Sequence, residues 1–162
     1  MTTEQISMFG EPAPNTPTEK PASFTLTKTV NGSTQKVFDQ WLIPVVIGTW
    51  MFNQEIAGEK VISLDNTVRK GGSFCFKVQK RDKQIEYSGE YLELRIPDQL
   101  SFSWIKDGRA DRCSQIKLRF ESDGDKTRLK FSMTLDPALN PEREAIKTIW
   151  TARLAALAGR FK

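Results

Sequence analysis

The sequence predicts an α+β domain in which a curved antiparallel sheet of about seven strands wraps around one long C-terminal helix. Two short helices fall between the first and second strands. Three observations carry this expectation. From residue 59 to residue 135 apolar side chains recur with a period of two, the spacing of half-buried strands. Near the C-terminus they recur at helical spacing, between Asn140-Pro141 and Gly159. Ahead of the alternating region lie two short helical runs separated by Pro44.

The elements follow in order. Ser23–Val30, reading SFTLTKTV, alternates as a strand and ends at the Asn31-Gly32 turn signal. Ser33 or Thr34 then caps a short helix carrying Val37, Phe38, Trp41 and Leu42. Pro44 breaks it and suits the first turn of a second helix through about Met51. Val61 to Leu64 reads as a strand. Phe74, Phe76 and Val78 share a face of the next, entered at Gly71-Gly72. Ile85, Tyr87 and Tyr91 share one face, but Leu92, Leu94 and Ile96 have the opposite parity, so the spacing predicts a bulge and bend beside Gly89. Leu100, Phe102 and Trp104 alternate. So do Ile116, Leu118 and Phe120, then Leu129, Phe131, Met133 and Leu135, with an Asp123-Gly124-Asp125 hairpin between the last two strands. The closing helix has Asn140 as its expected cap, Pro141 as its first residue and Gly159 as its stop, with Ile146, Ile149, Trp150, Leu154 and Leu157 as its apolar stripe. A bent sheet gripping one helix can leave an apolar pocket between them.

Composition narrows the chemistry. The chain has 162 residues, two cysteines and no histidine. Histidine-based triads and imidazole metal sites are therefore excluded, and two cysteines cannot build a four-thiolate zinc site. Cys75 and Cys113 read as incidental thiols of a reduced, cytoplasmic protein. No metal, cofactor or catalytic residue is assigned. The net charge of +4 is spread over residues such as Lys77, Lys80, Arg81, Lys83, Lys117, Arg119, Arg128 and Lys130, most of them alternating with apolar neighbours. That pattern reads as the wet face of a sheet rather than a nucleic-acid groove. No signal peptide and no membrane span is expected.

Residues 1–23 differ from the rest. They hold four of the eight prolines, three glutamates and one lysine, a net charge of −2, so the chain's +4 leaves +6 on residues 24–162. A segment so poor in apolar residues is expected to be a disordered tail ahead of a single domain. Within it, QISMF at residues 5–9 resembles the pentapeptide by which bacterial proteins dock on the DNA-polymerase sliding clamp. The resemblance implies a polar contact from Gln5 and an apolar groove filled by Ile6, Met8 and Phe9. Degenerate pentapeptides also arise by chance.

The domain itself resembles a known family. VFDQW at 37–41, Trp50, VRKGGSF at 68–74, GEYLEL at 89–94, Pro97 with LSFSW at 100–104, TRL at 127–129 and W-x-x-x-L-x-x-L at 150–157 fall in the order of the AHSA-type branch of the START-like (SRPBCC) superfamily. The branch is named for the C-terminal domain of the activator of a heat-shock chaperone's ATPase. The resemblance, over roughly residues 24 to 158, implies a helix-grip fold and a cavity for a small hydrophobic or amphipathic ligand. Two departures stand out: Ile149 replaces the family's usual Gly before the terminal Trp, and the activator's N-terminal domain is absent from this sequence.

The candidate cavity residues are Phe74, Phe76, Tyr87, Tyr91, Phe102, Trp104, Trp150 and Arg153. An aromatic set of this kind lines a cavity or simply fills a core. Arg153 falls inside the apolar stripe of the closing helix and so needs a partner, either a ligand carboxylate or phosphate or a protein carboxylate such as Glu142. Glu90, beside the expected bulge, is a candidate acid or base if it turns inward, and otherwise an exposed strand glutamate. Three functions fit: a non-enzymatic binding module for a small hydrophobic ligand; an interaction protein, working with a chaperone or tethered to the clamp; and a cofactor-independent cyclase-type enzyme using Glu90, Tyr87 and Arg153. The expected oligomeric state is a monomer or weak homodimer.

Overall fold

The computed structural model describes residues 20–161. Its strands are β1 (Ser23–Val30), β2 (Glu59–Asn66), β3 (Ser73–Lys80), β4 (Lys83–Arg95), β5 (Gln99–Lys106), β6 (Ser114–Asp123) and β7 (Lys126–Thr134). All pair antiparallel in one sheet of order β1-β7-β6-β5-β4-β3-β2. The last six strands form a meander of hairpins, which the alternating sequence with its short turns dictates. β1 pairs instead with β7, so the chain crosses from one sheet edge to the other through the helical segment between β1 and β2. Residues 1–19, which hold most of the tail expected over residues 1–23 and its QISMF motif, lie outside the described residues.

That helical segment contains the two expected helices, α1 (Thr34–Asp39) and α2 (Pro44–Trp50), followed by a further single turn, α3 (Gln54–Ala57). Ser33 caps α1 by accepting the Lys36 N–H, and Pro44 opens α2. The single turn α3 is held by its Asn53 cap, which accepts the Glu55 N–H, and by Gly58 in the left-handed region at φ +69°. Four residues are too few to show helical periodicity, so α3 was not visible from spacing.

The long helix α4 (Arg143–Gly159) lies against the concave face of the sheet, with Trp150, Arg153, Leu154 and Leu157 buried. It begins later than expected. Pro137–Glu142 forms a 3-10 turn capped by Asp136, which accepts the Ala138 N–H. The Asn140 side chain does not cap α4; it accepts from the Ala22 N–H at 2.8 Å and donates to the Lys20 carbonyl, fastening the entry to β1.

The expected bend in β4 is present, and its parts separate along the strand. The extra residue is Leu92, where the pairing steps from Tyr91↔Phe102 to Glu93↔Ser101. Gly89 has a different role: a Cβ there would lie 2.0 Å from the Ser103 carbonyl oxygen and 2.7 Å from the Phe74 ring. Only glycine permits that approach of strand and ring. A second bulge at Ile62, between Val61↔Val78 and Ser63↔Lys77, turns Ile62 outward to 47% exposure.

Candidate ligand site

A cavity of about 460 Å³ opens between the sheet and the first turns of α4. Its inner wall is Tyr87 of β4, Trp104 of β5, Met133 of β7, and Ile149, Trp150 and Arg153 of α4. These side chains arrive together because of two periods. Alternation aims Tyr87, Trp104 and Met133 at the concave face, and the helical spacing of Ile146, Ile149, Trp150 and Arg153 faces them from above. The rim comes from the β5–β6 connection, with Lys106, Asp107, Arg109 and Arg112, and from Glu142 ahead of α4.

The floor holds a buried polar network. Glu59 and Arg153 are 2% and 3% exposed and form an ion pair, Nη2 to Oε1, at 3.2 Å. The other Glu59 oxygen accepts from the Tyr87 hydroxyl at 2.6 Å, and Arg153 Nε donates to the Met51 carbonyl at 2.9 Å. The guanidinium carbon lies 4.6 Å from the Trp150 ring centroid, 5.4 Å from Phe52 and 5.7 Å from Tyr87. Burial pushes the Tyr87 hydroxyl far above its ordinary pKa, and the negative charge of Glu59 adds to this, so Tyr87 keeps its proton. The network ties α4 to β2, β4 and the end of α2.

Arg153 thus finds its partner inside the protein, and that partner is Glu59 rather than Glu142. Glu59 was not singled out from the sequence. The need of a buried arginine for a carboxylate was legible, but 20 acidic residues offered themselves and only the fold selects one.

Of the eight candidate cavity residues, Tyr87, Trp104, Trp150 and Arg153 line the cavity. Phe74, Phe76, Tyr91 and Phe102 are 2–4% exposed and pack in the filled core beside it, Phe74 lying 4.8 Å from Phe76 and 5.5 Å from Tyr91. The Tyr91 hydroxyl accepts from Asn66. Glu90 is exposed, on the face of β4 opposite Tyr87 and Tyr91, so the inward turn required of an acid or base does not occur. Residues missed from the sequence are mostly on the rim, above all Arg112 and Ser114. They lie where strand alternation gives way to a 3-10 turn, Ala110–Arg112, and periodicity says nothing about such a segment. Among the described residues no three Cys, Asp or Glu side chains cluster as a metal site needs, and no helix is long and apolar enough to cross a membrane.

The helix-grip arrangement agrees with comparison to known proteins. The family model for activator of Hsp90 ATPase homolog 1-like proteins, AHSA1, matches residues 31–162. The chain belongs to the AHSA1-like family. Among solved structures, protein CV1439 from Chromobacterium violaceum superposes with a TM-score of 0.75 at 17% identity, over 86% of this chain and 96% of that one. An AHSA1-like protein from Aeromonas hydrophila gives 0.67 at 16% identity, over 85% and 90%. CalU16 from Micromonospora echinospora gives 0.60 at 20% identity, over 90% and 77%. At these identities the likeness is one of fold. No curated protein matches the sequence. Within this AHSA1-like chain, Ile149 stands on the cavity wall.

Proposed function

We propose that this AHSA1-like protein is a cytoplasmic, non-enzymatic binding module for a small hydrophobic or amphipathic ligand held between the sheet and α4. The observation that carries this is the cavity itself. Its volume lies within the range of small-molecule sites, roughly 300–1,000 Å³, and its inner wall is apolar and aromatic under a charged rim. The state of the buried polar groups supports binding over catalysis. Both Glu59 oxygens are engaged, by Arg153 and Tyr87, and Tyr87 holds its proton against burial and a neighbouring carboxylate. Native mass spectrometry of the protein with laurate added is expected to show a 1:1 complex. Ile149→Phe, which fills the cavity from its wall, is expected to weaken that complex about tenfold or more by steric exclusion. Unchanged binding by Ile149→Phe would place the ligand elsewhere.

A second reading concerns protein partners. Family membership supports a chaperone-related role. The QISMF segment, which precedes residue 31 where the family match begins, supports a different partner, the bacterial sliding clamp, through its resemblance to clamp-docking pentapeptides. In this reading a short peptide docks on the clamp and the domain follows as cargo. Immobilised clamp is expected to retain the full chain and to release a variant lacking residues 5–9, with laurate binding unchanged in that variant. Equal retention of both, or of neither, excludes the clamp.

A further inference from the structure

Two polar groups of the cavity make no side-chain hydrogen bond among the described residues. Ser114 is 2% exposed, and its hydroxyl is one of two buried side-chain polar atoms without a hydrogen bond among the described residues. The other, Trp41 Nε1, belongs to the closed core, whereas Ser114 lines the cavity. A buried hydroxyl left unpaired costs about 1–3 kcal/mol, so it marks a position where something else supplies the partner. Two residues earlier, Arg112 is half-buried on the rim of the same cavity and makes no ion pair or side-chain hydrogen bond among the described residues.

The remaining charges of the rim are differently placed. Arg109 is engaged by Asp111 at 2.9 Å. Asp107 accepts the Glu86 N–H. Lys106 and Glu142 are exposed, where water screens them. Arg153, deeper in, is neutralised by Glu59. Among the described rim residues Arg112 is therefore the least exposed cation without a hydrogen-bonded partner, since Asp111, whose charge it also feels, is exposed and held by Arg109. It stands two residues from a donor that lacks an acceptor.

We infer that Arg112 and Ser114 form an oxyanion subsite, and that the ligand is an amphiphile bearing a carboxylate or phosphate headgroup. This rests on the cavity reading above. The headgroup accepts from the guanidinium fork of Arg112 and from the Ser114 hydroxyl, two charge-assisted hydrogen bonds. The apolar body runs inward over Trp104, Ile149 and Trp150. The floor, already a closed ion pair, takes no charge from the ligand.

Isothermal titration with laurate, dodecyl phosphate and dodecanol tests this and separates the two headgroups. At least one anion is expected to bind about tenfold or more tightly than dodecanol, as charge-assisted hydrogen bonds require. Arg112→Gln and Ser114→Ala should each bring that anion down toward dodecanol, with a much smaller effect on dodecanol itself. Lys117→Gln, an exposed β6 position outside the cavity, should alter neither. Equal binding of all three probes, or Arg112→Gln with full anion preference, overturns the subsite and leaves the apolar cavity standing. Binding of none of the three overturns both.

Discussion

Arg153→Ala is expected to lower the free energy of unfolding by about 3–5 kcal/mol, read as a fall in the urea midpoint at an unchanged slope. The magnitude follows from what remains. Glu59, 2% exposed, would keep its carboxylate in the interior with only the Tyr87 hydroxyl to face it, and the Met51 carbonyl would lose its donor. Removing one member of a buried pair is costly because the other cannot return to water. Replacing both is a different matter. Glu59→Leu with Arg153→Met exchanges the pair for apolar groups of similar reach, and its stability should lie much closer to wild type than the single variant's. If Arg153→Ala costs under about 1 kcal/mol, the pair is not the strut that joins α4 to β2.

This pair also marks the limit of what the sequence can say. That Arg153 lies on an apolar stripe is local information, written in the spacing of Ile146, Ile149, Trp150 and Leu157. That it meets Glu59 is not, because the two are 94 residues apart and meet only through the topology of the sheet. The same division runs through the whole molecule. Strands of two-residue period, the Pro44 break and the Gly159 stop were legible because each depends on its near neighbours. The pairing of β1 with β7, the one-turn helix α3 and the delayed start of α4 were not. Asn140 illustrates the failure: a cap residue before Pro141 reads as a helix start, but its amide is taken by the backbone of Lys20 and Ala22. The cavity shows the same split. Alternation identified the inward aromatics without saying where packing stops, so Phe74 and Phe102 were indistinguishable from Trp104. Packing decides between them, because Phe102 is covered by Trp41, Phe74 and Tyr91, whereas Trp104 meets Trp150 and still lines the cavity.

Trp150→Ala is expected to cost about 3–5 kcal/mol and at the same time to enlarge the cavity. Trp150 is 1% exposed, with Phe131 4.8 Å away, Trp104 at 5.3 Å and Trp41 stacked at 6.4 Å. No neighbour is free to collapse into the space, because Trp41 is itself held against Trp50 at 4.6 Å and Arg153 is pinned by Glu59. The void should therefore persist, and an apolar void of that size takes up a small aromatic from solution. Millimolar indole is accordingly expected to raise the Tm of Trp150→Ala by clearly more than that of wild type, whose existing cavity also admits it, since binding to the folded state alone stabilises it. Ile149→Ala provides the contrast. Ile149 is only half-buried and sits at the wall, so its removal should cost clearly less stability than loss of Trp150 and give an indole response close to that of wild type. If indole leaves Trp150→Ala unmoved, the core has closed over the gap, and Trp150 is packing material rather than the pillar that keeps α4 away from the sheet.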